Sequence, residues 1–184
     1  MPVESAMLPL GTPIPDFTLP DLDGNQVHLA TYAAGRPLLL MVACNHCPYV
    51  KHLEQEIGRV AAQAASLGVA TLAVCSNDVV THPSDDVEGL REQIERASWG
   101  FPYLVDESQD LARALQAACT PDFYVFDRTG KLAYRGAFDE ATPGNDNPVT
   151  GQDLRAAIAA VAHDEPVAEP HRPSLGCSIK WKAA

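Results

Sequence analysis

The stretch Leu38-Leu39-Leu40-Met41-Val42-Ala43-Cys44-Asn45-His46-Cys47-Pro48-Tyr49-Val50 decides how this chain is read. Leu38 to Ala43 is a continuous apolar run of strand length, the pattern of a strand covered on both faces. It stops at Cys44, and beyond it Val50, Leu53, Ile57, Val60, Ala64 and Leu67 recur at three- and four-residue steps. That spacing predicts a long amphipathic helix, with Gly68 where a left-handed helix end belongs. Val69 to Cys75 is strand-like again. Strand, helix, strand implies a right-handed crossover between two parallel strands.

The rest of the chain extends this core. Upstream, Phe17-Leu19 and Val27-Leu29 flank the turn Asp23-Gly24-Asn25 and predict an N-terminal hairpin. Downstream, Asp85 followed by Glu88 reads as a capping-box-like start to a helix with Val87, Leu90, Ile94 and Ala97 as its apolar stripe. Phe101 to Val105 is a short strand candidate, and Leu111, Ala114, Leu115 and Ala118 mark a short helix before Thr120-Pro121. Phe123 to Phe126 and Leu132 to Arg135 flank Asp127-Arg128-Thr129-Gly130 and predict an antiparallel hairpin. A last helix runs from about Gln152 to His163 with Thr150 as candidate cap. The expected architecture is α/β: a mixed central sheet with helices on both faces, an N-terminal hairpin, one domain over 1–165, and an extended tail over 166–184 packed on it.

Composition narrows the function. The chain has 184 residues, enough for one domain that buries roughly 70% of its unfolded surface. It carries 13 basic and 24 acidic residues, a net charge of −11, which disfavours nucleic acid and anionic lipid as partners. No apolar run exceeds the seven residues of Leu38 to Cys44, about a third of a bilayer span. No Lys or Arg precedes Arg36, and Pro2, Pro9, Pro13 and Pro15 interrupt the N-terminus, so the basic flank and apolar core of a secretory signal are missing and a cytoplasmic location is expected.

Five cysteines, at 44, 47, 75, 119 and 177, are an odd number and fit no static disulfide framework. In a reducing compartment the close pair Cys44 and Cys47 is a candidate for redox chemistry. It lies at a strand's carboxyl end, where open α/β sheets gather their chemistry. Three residues apart on a first helical turn, two sulfurs come within bridging distance, and the unpaired amides there stabilise a thiolate. His46, if protonated, adds to that field. The expected roles are Cys44 as outer, exposed nucleophile and Cys47 as shielded resolving thiol. Pro48 removes an amide close to the helix start, so the regular helix begins either near Cys44 or at Pro48. Zinc is the alternative for the pair; His46 and His52 are the available extra ligands, and only one cysteine pair is present, so no metal is expected. Cys75, inside an apolar run, reads as a buried inert thiol. Asn77 and Asp78 border the same sheet edge, and the acidic stretch Asp139 to Asp146 reads as a solvated loop.

Taken together, Pro15-Asp16-Phe17-Thr18-Leu19 with Asp23-Gly24, the thiol pair after an apolar strand, Thr120-Pro121-Asp122 and Asp127-Arg128-Thr129-Gly130 resemble the redoxin (AhpC/TSA) branch of the thioredoxin-fold superfamily. More narrowly, Cys44-Asn45-His46-Cys47-Pro48-Tyr49-Val50-Lys51, Ser76-Asn77-Asp78 and the tail Pro173-Ser174-Leu175-Gly176-Cys177-Ser178-Ile179-Lys180-Trp181-Lys182 resemble a peroxiredoxin-like group of thioredoxin family proteins. The resemblance implies a thioredoxin-like fold, a cis Pro121, and a Thr120 backbone that faces Cys44 and offers a strand-like edge to an incoming peptide or thiol. Asn45, His46, Pro48, Thr120 and Pro121 are then the supporting residues, and Cys119 and Cys177 are candidate additional redox thiols.

The chain also departs from its relatives. Peroxiredoxins resemble it but place a Thr where Cys44 stands and their peroxide-attacking cysteine where Cys47 stands; Arg135 is a positional candidate for their arginine. Thioredoxins carry a Trp where Ala43 stands and a buried acid on the preceding strand, which is wholly apolar here. The groups left to deprotonate Cys47 are His46, Asp122 or a water. The function expected is a thiol-disulfide oxidoreductase without organic cofactor, acting on a disulfide-containing protein or small thiol and fed by a thiol or reductase. The alternatives are a thiol peroxidase and a metal-binding or redox-sensing module without turnover.

Overall fold

A computed structural model describes residues 1–183. In chain order the strands are β1 (Val3–Glu4), β2 (Thr18–Pro20), β3 (Gln26–His28), β4 (Leu38–Val42), β5 (Ala70–Cys75), β6 (Tyr103–Val105), β7 (Cys119–Thr120), β8 (Asp122–Phe126), β9 (Leu132–Gly136) and β10 (Leu175–Ser178). The helices are α1 (Leu29–Ala33), α2 (Pro48–Ser66), α3 (Val87–Ala97), α4 (Asp110–Ala114) and α5 (Gln152–Ala162). The central sheet has the order β6-β5-β4-β8-β9, with β4, β5 and β6 parallel and β8 and β9 antiparallel to their neighbours. β2 and β3 form the expected N-terminal hairpin.

The apolar run becomes the central strand because both its faces find cover. Successive side chains of a strand point to opposite sides. Leu39 and Met41 pack with Val50, Leu53 and Ile57 of α2, Leu90 of α3, and Leu154 and Ile158 of α5. Leu38, Leu40 and Val42 pack with Leu29 and Ala33 of α1 and with Leu111 and Leu115 around α4. Two apolar layers on one sheet are the three-layer arrangement that the strand-helix alternation implied.

Four details differ from expectation. α1, five residues long, was not foreseen; it is capped by the His28 side chain, which accepts the Thr31 amide. The cap of α3 is Asp86, accepting the Gly89 amide, and Asp85 is left for another task in a 3-10 turn over Pro83–Asp85. The N-cap residue of α5 is Gly151, in the left-handed region, and Thr150 stands one residue before it with its hydroxyl accepting the Gln152 amide at 3.3 Å. Asp139 Oδ2 holds the Thr150 and Gly151 amides at 2.7 and 2.6 Å, so this member of the expected solvated loop is a buried anchor.

The tail returns across the molecule. β10 lies between β1 and β7 in a small antiparallel sheet. Asn77 Oδ1 accepts the Lys180 amide, the Asp78 amide donates to the Lys180 carbonyl, and Gln109 bonds both the Lys180 carbonyl and the Lys182 amide. Ile179 is buried, whereas Trp181 lies near the surface with the Arg113 guanidinium 5.1 Å from its ring. Among the described residues no helix is long and apolar enough to cross a membrane.

Candidate active site

The thiol pair occupies the turn between β4 and α2. Regular helix begins at Pro48, the second of the two starts the sequence allowed, with Cys47 as the N-cap residue. Proline is tolerated there because its missing amide is one of the helix's unpaired donors in any case. The intervening Asn45 and His46 would leave their own amides unpaired in a buried turn. Asp85 receives them: its Oδ1 accepts the Asn45 and His46 amides at 2.8 and 2.9 Å. Its Oδ2 accepts Asn77 Nδ2 at 2.9 Å and His46 Nδ1 at 2.5 Å.

Around this clamp, Asn45 Nδ2 donates to the Ser84 carbonyl, and Asn45 Oδ1 accepts from Arg96, which also pairs with Glu54. Gln93 Nε2 donates to the Cys44 carbonyl at 3.1 Å. The His46 ring stacks on His82 with centroids 4.9 Å apart. Asp85, Gln93 and Arg96 thus hold the motif from α3 and the turn before it. Sequence reasoning took Asp85 for a helix cap and missed Gln93 and Arg96, because all three act on the motif from 39 to 51 residues away.

Opposite the pair stands the Thr120-Pro121 step, whose peptide bond is cis. Cys44 Sγ is 3.5 Å from Thr120 Oγ1, and Cys47 Sγ is 3.2 Å from the Thr120 carbonyl. The expected open edge at Thr120 is already occupied. β10 pairs with β7 so that Cys177 faces Thr120 and Ser178 faces Cys119. This brings Cys177 next to Cys47, whose sulfur lies 3.2 Å from the Thr120 carbonyl. Gly176 is required for this approach, since a Cβ there would collide with the Thr120 carbonyl.

The expected exposure of Cys44 is corrected: both Cys44 and Cys47 are 0% exposed. The acidity also divides the other way. Cys47 is held well below the usual thiol range, first by the Cys44 thiol donating to it and further by Cys177 and the Val50 amide, against the opposing effect of burial. Cys44 is pushed well above it, first by that shared proton, then by burial and by the charge of Asp85. The Thr120 carbonyl beside Cys47 Sγ opposes this, since only a protonated thiol is attracted to it. Two thiol donors at the amide-rich end of a 19-residue helix outweigh one carbonyl, so the negative charge belongs on Cys47.

The remaining candidates are placed as follows. Cys75 is buried, with its thiol pushed up to about 12, consistent with an inert core residue. Cys119 is buried with its sulfur 3.7 and 3.9 Å from the Pro121 and Ser174 carbonyls, and burial raises its pKa further. Arg135 spends its guanidinium on the Leu8 carbonyl and His171, away from the thiols. The guanidinium bonded to the motif is that of Arg96. Asp122 is raised to about 7 by burial and accepts the Tyr124 hydroxyl rather than a thiol of the pair. Cys44, His46 and Asp85 offer metal-ligating atoms within 4.8 Å of one another, but the Asp85 oxygens already accept four hydrogen bonds that an ion would have to displace.

Solved structures with this architecture come in two grades of similarity. An uncharacterized conserved protein from Geobacillus kaustophilus is 45% identical with a TM-score of 0.96, over 100% of this chain and 98% of that one. A hypothetical protein from Sinorhizobium meliloti 1021 is 42% identical with a TM-score of 0.95, over 98% and 99%. A thiol:disulfide interchange protein of the thioredoxin family from Chlorobium tepidum TLS is 16% identical with a TM-score of 0.63, over 83% and 97%, a likeness of fold. No curated protein matches the chain. Residues 10–135 match the model of the AhpC/TSA family. With the thiol turn and the Thr120-Pro121 step inside the matched segment, this thioredoxin-like chain belongs to the AhpC/TSA family.

Proposed function

We propose that the protein is a thiol-disulfide oxidoreductase in which Cys47 attacks and Cys44 resolves, the reverse of the order expected from the sequence. The observation that carries this reading is the placing of the pair: two buried cysteines where β4 meets α2, with Cys47 as the N-cap residue of the helix and its thiol lowered to about 4. A thiolate so stabilised is both an available nucleophile and a good leaving group near neutral pH. Cys47 attacks a substrate disulfide, one new S–S bond forms, and the displaced sulfur leaves as a thiol after taking up a proton. Cys44 then gives up its proton and attacks Cys47 Sγ. The second substrate thiol leaves, and the pair is oxidised while the substrate gains two electrons. An external dithiol or reductase returns them.

Asp85, Asn45 and Gln93 position the turn, and Thr120 and cis-Pro121 form the opposite wall. A disulfide-containing protein or small-thiol disulfide is the substrate class. The test is reduction of a mixed glutathione disulfide by wild type, Cys44→Ser and Cys47→Ser. Cys47→Ser loses turnover and forms no mixed disulfide, while Cys44→Ser carrying Cys177→Ser as well arrests as a covalent adduct on Cys47. An adduct on Cys44 in the Cys47→Ser protein contradicts the assignment.

A thiol peroxidase is the second reading, favoured by the low-pKa sulfur standing where peroxiredoxins keep their attacking cysteine. Consumption of hydrogen peroxide that survives Cys44→Ser and disappears in Cys47→Ser selects it.

A further inference from the structure

We infer that Cys177 is a third redox thiol: the strand β10 holds it against Cys47 so that a Cys47–Cys177 disulfide forms and carries oxidising equivalents from the buried pair to thiols in solution. This deepens the oxidoreductase reading and rests on it.

The geometry makes the assignment. Cys177 stands opposite Thr120 in the β10–β7 ladder, and Cys47 Sγ lies 3.2 Å from the Thr120 carbonyl, which sets the two cysteines side by side. Its placement is fixed from several directions: β1 pairs the other edge of β10, Gly176 permits the close approach to Thr120, and Asn77, Asp78 and Gln109 tie down the residues that follow. Cys44 and Cys47 are fully buried, whereas Cys177 is partly exposed. Of the three neighbouring cysteines, Cys177 is the least buried.

The steps balance. Starting from the Cys44–Cys47 disulfide left by the proposed reaction, Cys177 loses its proton and attacks Cys47 Sγ. A Cys47–Cys177 bond forms, the Cys44–Cys47 bond breaks, and Cys44 leaves with the proton. A solution thiolate then attacks Cys177 Sγ and expels Cys47, the sulfur best able to leave as an anion. A second solution thiol releases the first as its disulfide and returns Cys177 to the thiol. Two solution thiols are oxidised and the enzyme regains two electrons. The isolated Cys177 thiol, pushed up to about 12 chiefly by burial, is a poor attacker of foreign disulfides, which confines it to this internal exchange.

The test poises the full chain in a glutathione redox series, quenches with acid and alkylating agent, and maps disulfides by mass. Wild type is expected to show both Cys44–Cys47 and Cys47–Cys177 peptides, and Cys44→Ser to accumulate Cys47–Cys177. In Cys177→Ser the Cys44–Cys47 bond still forms, but its reduction by glutathione slows about tenfold or more. Glutathione on Cys47 in Cys44→Ser with no Cys47–Cys177 bond, or wild-type reduction of Cys177→Ser, overturns the inference while leaving the oxidoreductase reading intact. Absence of any disulfide among the three cysteines at every poise overturns both. Far-ultraviolet circular dichroism checks that Cys177→Ser is folded, and Cys177→Ala gives a second, independent variant for the same rates.

Discussion

Removing the Asp85 carboxylate tests how the motif is held. In Asp85→Ala, two buried donors, the Asn45 amide and Asn77 Nδ2, and two part-buried ones, the His46 amide and His46 Nδ1, lose their acceptor. A buried donor left unpaired costs about 1–3 kcal/mol, and water admitted to the small space left behind recovers part of it. A net loss of about 3–5 kcal/mol is expected, which for a chain of this length lowers the melting temperature by roughly 10 °C. Asp85→Asn keeps one acceptor oxygen for the two amides and should cost about 2 kcal/mol. It also removes the negative charge that raises the Cys44 thiol, so Cys44 should become more acidic. Urea unfolding gives the stabilities, and alkylation of Cys44 against pH in a Cys47→Ser background gives the acidity. The reasoning is refuted if Asp85→Ala unfolds within about 0.5 kcal/mol of wild type, the ordinary range for surface substitutions, or if Asp85→Asn leaves the Cys44 titration unmoved.

Gly176→Ala forces β10 away from the Thr120 carbonyl, so Cys47 should become several-fold more reactive to alkylating agents while the sheet core keeps its protection in hydrogen exchange; unchanged Cys47 reactivity would contradict the packing described. Asp122 is protonated more readily in the folded protein, about 7 against 3.8, so its contribution is full below about pH 4 and is lost as pH rises through 7. At up to about 4 kcal/mol for three pKa units, Asp122→Asn should gain stability over wild type between pH 5 and pH 8 in urea unfolding, and equal slopes would show that the acid is not buried as described. Cys75 and Cys119, buried and raised, should resist alkylation in the native protein at pH 8 and react once it is denatured, which mass mapping reads directly.

The fold was legible wherever local pattern and tertiary environment agree. Leu38 to Ala43 reads as a doubly covered strand because both faces of β4 are buried, and the periodic apolar residues from Val50 to Ala64 are the buried face of α2. Pro48 gave one of two possible helix starts, the one the structure takes, and the two hairpins followed from their turns. Asp85 was not legible. Adjacent to Asp86, it looks like a helix cap, and which of the two caps α3 depends on which one the thiol turn, some 40 residues earlier, requires. The tail gave a cysteine but not its partner. Leu175 to Ser178 is too short and too weakly patterned to announce a strand, and its pairing with Cys119–Thr120 is set by distant packing. The order of acidity within the pair was missed for a related reason. The helix-end argument applies to both sulfurs, and the choice falls to the Cys177 thiol and the Asp85 charge, brought there by the fold.

The most direct measurement is the pH titration of thiolate absorbance for the reduced protein beside Cys44→Ser and Cys47→Ser. A negative charge held on Cys47 predicts a one-thiolate step below about pH 7 in wild type, moved upward in Cys44→Ser by loss of the donating thiol, and absent from Cys47→Ser. A step that survives Cys47→Ser, or a wild type that shows none until the range of free cysteine near about 8.5, contradicts the account.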